Sequence, residues 1–490
     1  MPYTAYFGLA VAGWISYQWY WFRENLKKVE HIPTVGSDSF IGAYLSAWKY
    51  IFSGHKMVEE GYKKYPNGVF KVPSFETSSR WIIVASGPKL VDDIRKVSED
   101  HALPATDVSL ADGLYFWNEA TSCSSTSHVG LIQADDEEYR KWTSYPVLNT
   151  LLPIVTRTTN RFFVGLPVCR NRDYLTMLEK FAARLMVSVY SVTLSPSFLR
   201  PLMAYLTSNV PAAEKKVKQY LGPIIEERLR QDAELGRDRP DKPNDMITWL
   251  LDLAPEELRT VDDVVTRLLI SNFAAIYTTS NLLSDLLFHL AAYPEYVEPL
   301  RAEVESVTRE HGWTKEAMAR LYKLDSIMKE TGRLAGVNIV TSQRKVHQAF
   351  TLSNGIMIPE GFTVGIASNS THYDSSIYED ASTFNGFRYV AENSSDSDAH
   401  EPSAEQVKRQ MVSLDTKYVL FGTLKGVCIS PSPGRFFAVN EIKTMAAYML
   451  LNYDMKLPGD DSTPPPGFFI GSSRSAPLSA HILFRKRTST

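Results

Sequence analysis

Residues 421–443, FGTLKGVCISPSPGRFFAVNEIK, constrain this chain more than any other stretch. They set Cys428 in a glycine- and proline-containing loop that feeds directly into a helix-forming sequence. First-turn N–H groups and the helix dipole stabilise negative charge, so a cysteine placed there is biased towards its thiolate. The other two cysteines, Cys123 and Cys169, have no such setting, and Cys169 in GLPVCRN reads as a packing residue. Three scattered cysteines form no disulfide framework and suit a reducing compartment. Cys428 is the candidate metal ligand.

Upstream, Glu330 and Arg333 stand three apart in Lys329-Glu330-Thr331-Gly332-Arg333, a spacing that puts both on one helix face within ion-pair reach. After them come Pro359-Glu360-Gly361, His372-Tyr373-Asp374, Phe384-Asn385-Gly386-Phe387-Arg388 and then the cysteine loop. In this order the chain resembles the cytochrome P450 family of haem-thiolate monooxygenases, over residues 30–100 and 146–490. The resemblance implies a mainly α fold with small β-sheets and haem b bound through the Cys428 thiolate. It implies a buried Glu330–Arg333–Arg388 network that fixes the haem-binding loop. Phe421, at the loop's start, and Arg435, at the head of the following helix, become cofactor-contacting positions.

Residues 262–293 predict one long helix, in which Asn272-Phe273-Ala274-Ala275-Ile276-Tyr277-Thr278-Thr279-Ser280 gathers small and hydroxyl-bearing side chains. Such a face leaves room for a flat cofactor. In the family this helix crosses the distal haem face, where an acid and then a threonine deliver protons. Thr278 matches the threonine; Tyr277 holds the acid's place and, with an ordinary pKa near 10, is no carboxylate relay at neutral pH.

Two segments depart from the family pattern. Ile429-Ser430-Pro431-Ser432 separates Cys428 from Pro433-Gly434-Arg435, so anchoring the alignment on the helix puts Ser432 at the ligand position instead. Leu424 and Gly426 replace the usual Gly and His or Arg of the loop. Residues 97–145 read as polar loop and lack the expected Trp or His with Arg four residues on: Thr121 follows Trp117, Ile132 follows His128 and Pro146 follows Trp142.

Residues 3–22 form a run dense in apolar and aromatic side chains, with Thr4, Ser16 and Gln18 its clear polar members, and Arg23, Lys27 and Lys28 follow. About twenty such residues span a bilayer core, and basic flanks stay on the cytosolic side. The expected organisation is a transmembrane anchor over 1–22, a connector over 23–45 and one catalytic domain over 46–490, atypical at 97–145. This layout implies an endoplasmic reticulum membrane protein with a cytosolic catalytic domain. A net charge of −3 without a long basic block speaks against a nucleic-acid partner.

Elsewhere, Val69-Phe70-Lys71-Val72 and Trp81-Ile82-Ile83-Val84 predict a β-hairpin. Pro88 opens a helix that runs to Lys96. Helical periodicity over 175–229 is interrupted at Pro196, Pro201 and Pro211, and helix resumes at MITWLLDLAP after a charged loop. Residues 391–406 read as a surface loop.

The resemblance implies a haem-dependent monooxygenase that hydroxylates an apolar small molecule with O2 and electrons from NADPH through a cytochrome reductase. Fungal relatives with the same Ala-Ala-x-x-Thr-Thr-Ser and Asn-Glu-Ile-Lys helices suggest a terpenoid of secondary metabolism as substrate. The alternative is a family member with a disrupted haem site, catalytically compromised or serving as a hydrophobic-ligand binder.

Overall fold

The computed structural model describes residues 2–97, 101–104, 141–195, 199–390, 404–422, 434–459 and 462–487. The longer helices are α1 (Pro2–Lys28), α2 (Phe40–Lys64), α3 (Pro88–Lys96), α4 (Val147–Phe163), α5 (Arg172–Leu194), α6 (Arg200–Thr207), α7 (Val210–Leu235), α8 (Met246–Leu253), α9 (Val261–Ala292), α10 (Val297–His311), α11 (Tyr322–Leu334) and α12 (Arg435–Asn452). The strands are β1 (Val69–Pro73), β2 (Trp81–Ala85), β3 (Ala102–Pro104), β4 (Thr143–Pro146), β5 (Val340–Val346), β6 (Phe350–Thr351), β7 (Met357–Ile358), β8 (Thr363–Ala367), β9 (Tyr453–Lys456), β10 (Phe468–Ile470), β11 (Ser473–Ser475) and β12 (His481–Lys486). The mainly helical expectation holds, and the interruptions fall at the proline-containing segments. α5 ends at Leu194, while Pro201 and Pro211 lie in the first turns of α6 and α7.

The largest sheet runs β1-β2-β8-β5-β3, with β2 and β8 parallel and the other neighbours antiparallel. Side chains alternate across a strand, and here both faces are covered. Trp81, Ile83 and Ala85 of β2 face α3 and Phe22 at the end of α1, whereas Ile82 and Val84 face Tyr50, Met57 and Val58 of α2. β5 slips register against β8 between Thr341 and Arg344, where Ser342 has φ 50°. This bulge bends the strand beside the cysteine-loop entry.

Helix α9 is the axis of the helical body. Thr260 caps it by accepting from the Asp263 N–H, and Asp262 and Asp263 complement the dipole in its first turn. Its first half, including Val264, Leu268 and Ile276, packs with α4, α5, α7 and α8. Its second half, including Leu283, Leu286 and Leu290, packs with α10, α11 and α12. The middle of α9 therefore lies where two apolar cores meet.

α1 passes residue 22 without a break and ends at Lys28, so the expected boundary falls inside a helix. Phe22 is buried against Phe40 and Trp81, at ring separations of 5.5 and 5.8 Å, which ties the end of α1 to the body. Among the described residues no helix is long and apolar enough to cross a membrane.

Of the segment expected as loop over 97–145, residues 102–104 and 143–146 form β3 and β4. Its remainder beyond Val97 and outside 101–104 and 141–146, like 391–403 of the expected surface loop, lies outside the described residues; residues 404–409 are helical.

Candidate active site

Glu330 and Arg333 project from one face of α11, as their spacing requires, and neither is exposed. Arg333 Nε and Nη2 donate to Glu330 Oε2 and Oε1, each at 2.8 Å. Arg388 Nε adds 3.2 and 3.1 Å contacts to the same two oxygens, and the Asn385 N–H donates to Oε1 at 3.0 Å. One carboxylate thus faces two guanidinium groups. The excess positive charge is met by backbone carbonyls: Arg333 donates to His372 O, Ala381 O and Thr383 O, and Arg388 to Glu379 O. Burial alone would lower the Arg333 pKa, but the Glu330 hydrogen bonds outweigh it and hold the guanidinium above its ordinary value.

The chain entering the cysteine loop is fixed from several sides. Asp325 of α11 accepts from the Met411 N–H at 2.7 Å and pairs with Lys443 of α12 at 2.6 Å. Phe421 packs against the helical core. Gly422 has φ 81°, and a Cβ there would lie 2.9 Å from Ser342 Oγ, so the turn beside the β5 bulge requires glycine. On the far side of the loop, Arg435 Nε donates to Val412 O at 3.2 Å, drawing the head of α12 towards the incoming chain. Burial lowers the Arg435 pKa. Cys428 and Ser432 themselves lie outside the described residues.

On α9, Thr278 is exposed although Ile276 and Thr279 beside it are buried. Its Oγ1 donates to Ala274 O at 2.7 Å, leaving the oxygen lone pairs outward. Ala274 and Ala275 keep the adjoining face low. Tyr277 is half-buried; burial and then the Glu179 charge raise its phenol pKa, so Tyr277 is a proton donor and not a carboxylate substitute. Asn272, one turn earlier, accepts from Asn160 Nδ2 of α4 at 2.7 Å, and Tyr174 of α5 donates to Asn160 at 3.4 Å. Three helices are locked together there.

Glu441 was not singled out by the sequence, although the Asn-Glu-Ile-Lys segment that carries it was. It is a buried acid in an apolar stretch of α12, and Thr159 of α4 donates to its Oε1 at 2.9 Å. Burial pushes its pKa up to about 8. It ties the helix behind the cysteine loop to α4, next to the Asn160–Asn272 contact.

These residues fit a flat cofactor with apolar faces and an anionic edge. The small-residue face with its exposed Thr278 lies on α9, Phe421 supplies an apolar flank and the half-buried Arg435 supplies a cation.

A family model described as cytochrome P450 matches residues 141–478. Cytochrome P450 monooxygenase 103 of Postia placenta is 35% identical, covering 96% of each chain. Ent-kaurene oxidase P450-4 of Gibberella fujikuroi is 28% identical, covering 93% of each. Among solved structures, the retinoic acid-bound cyanobacterial CYP120A1 superposes with a TM-score of 0.67 at 16% identity, over 93% of this chain and 98% of that one, a likeness of fold.

Proposed function

The chain belongs to the cytochrome P450 family, and from that premise we propose that it hydroxylates an apolar small molecule with O2 and electrons delivered from NADPH by a cytochrome reductase. Haem b, the family's cofactor, supplies oxygen activation when bound. Cys428 would be its thiolate ligand, with Phe421 and Arg435 at its rim. The observation that carries the reading is the Glu330–Arg333–Arg388 network, a buried frame that reaches the entry side of the cysteine loop through His372 and Val419.

The residues of α9 divide the remaining work. Thr278 Oγ1 accepts a hydrogen bond from a proton-carrying water, since its own proton goes to Ala274 O. Tyr277 Oη keeps its proton, so it donates and accepts hydrogen bonds as a neutral phenol but does not take up a proton as a carboxylate would. The Ala274–Ala275 face admits an apolar substrate and excludes bulk water. A terpenoid is the favoured substrate class, supported by the relative named ent-kaurene oxidase.

The protein's place is the cytosolic face of the endoplasmic reticulum membrane. Supporting this, α1 ends in Lys27 and Lys28, and Tyr17, Trp19 and Tyr20 on it are exposed. Ile41, Leu45, Trp48 and Phe52 form an exposed apolar stripe on one face of α2, and Leu202, Tyr205 and Leu206 stand exposed on α6. Of residues 1–22, those before Phe22 would enter the bilayer while Phe22 packs on the body; 23–45 would join the two and 46–490 would form the catalytic domain.

The test is incubation of the purified protein with reductase, NADPH and 18O2 against a terpenoid panel. One 18O atom per product molecule supports the proposal; a protein that incorporates none and yields no pyridine haemochrome is the apolar-ligand binder instead.

A further inference from the structure

We propose that His372 is a positioning residue for the cysteine loop, its ring coupling the Glu330–Arg333–Arg388 network to the chain that enters the loop. The inference rests on the reading of 421–435 as the cofactor-binding segment. His372 ends the short helix Ser368–His372 and is 2% exposed. Its backbone carbonyl accepts from Arg333 Nη1 at 2.5 Å, which makes it part of the buried network. Its ring reaches the other way: Nε2 lies 3.1 Å from the Val419 N, whose N–H donates to it.

That second contact fixes the chemistry of the ring. An amide N–H can only donate, so Nε2 carries the lone pair and the imidazole is neutral with its proton on Nδ1. Burial, and then the Arg333 charge, push the pKa down to about 3, so the accepting form persists at any working pH. The ring also stacks on Tyr418, with centroids 5.5 Å apart.

Val419 is where the loop entry is set. Its carbonyl accepts from the Gly422 N–H at 3.1 Å, closing a turn that carries Phe421 into the core and delivers Gly422 against Ser342. His372 therefore holds the first residue of this turn by its ring while Arg333 holds His372 by its carbonyl. One residue thus touches both the buried ion network and the cysteine-loop entry. Tyr418 stacking alone would need an aromatic ring at 372, but not an acceptor.

The distinction sets the experiment. In the full-length protein, His372→Phe keeps an aromatic ring and removes the acceptor, whereas His372→Gln removes the ring and places an amide oxygen close to the Nε2 position. Amide hydrogen exchange at Val419 and Gly422 is read with the reduced carbonyl spectrum. His372→Phe is expected to speed exchange at both amides by about tenfold, the scale of one lost hydrogen bond, and His372→Gln to restore most of the protection. The carbonyl complex should shift partly from the thiolate band in His372→Phe and return in His372→Gln. Wild-type protection in His372→Phe, or His372→Gln exchanging as fast as His372→Phe, overturns the proposal. If His372→Phe does not fold, His372→Asn against His372→Gln makes the same comparison, since Asn places its acceptor near Nδ1 and should leave Val419 unprotected. If the wild type shows no thiolate band but Val419 exchange follows this order, the coupling stands and the cofactor-loop reading fails.

Discussion

Arg333 sits on Glu330 through two N–H···O bonds of 2.8 Å while neither side chain reaches solvent. Removing Glu330 leaves Arg333 and the 13%-exposed Arg388 without their shared counter-charge. Glu330→Ala should therefore cost about 3–5 kcal/mol and yield misfolded or haem-free protein. Thermal melting and haem content check this. Wild-type values for both would mean that the pair behaves like a surface ion pair, worth about 0–1 kcal/mol.

Thr278 is exposed and its hydroxyl bonds to carbonyls of its own helix, so Thr278→Ala should change stability by less than about 0.5 kcal/mol. Its effect should fall on proton delivery. Substrate binding should persist, while product per NADPH drops and hydrogen peroxide rises. An unchanged product yield per NADPH would remove Thr278 from the proton path.

Glu441 gives a pH signature. Its pKa is raised from 4.5 to about 8 by burial, so the folded chain holds a proton that the unfolded chain has lost across that window. Stability from this group is greatest below about 4.5, declines as pH rises and levels off above about 8. Glu441→Gln keeps an acceptor for Thr159 and carries no charge. Its melting temperature should exceed that of the wild type at pH 8, with the difference shrinking towards pH 5; a difference independent of pH would show Glu441 ionised in the fold.

Gly422→Ala puts a Cβ 2.9 Å from Ser342 Oγ on a backbone at φ 81°. The backbone strain alone is about 1–2 kcal/mol. The variant should melt lower and lose haem more readily than Gly355→Ala, which also has positive φ but meets nothing within 4 Å. Equal haem retention in the two variants would show that the Gly422 turn does not support the loop.

Much of this was legible in local sequence. The Glu330–Arg333 spacing could not avoid one helix face, the helix expected over 262–293 is α9, and the hairpin at β1 and β2 and the helix Pro88–Lys96 appear where expected. Periodicity and caps are local properties. The pairing of β2 with β8, distant in sequence, was not legible, because no local signal encodes which strand a buried apolar run will meet. The same holds for the Ser342 bulge, for His372 accepting from Val419 and for the raised pKa of Glu441, each of which exists only once separate segments pack. The packing of Phe22 in a core cluster with Trp81 was equally hidden, because the sequence of the first helix does not reveal that contact.

The most direct measurement is the reduced carbonyl spectrum of wild type beside Cys428→Ser and Ser432→Ala. Axial thiolate donation shifts the Soret band far to the red. Wild type and Ser432→Ala should both show that band and Cys428→Ser should lack it; a red-shifted band that survives in Cys428→Ser would contradict the assignment of Cys428 as the haem ligand.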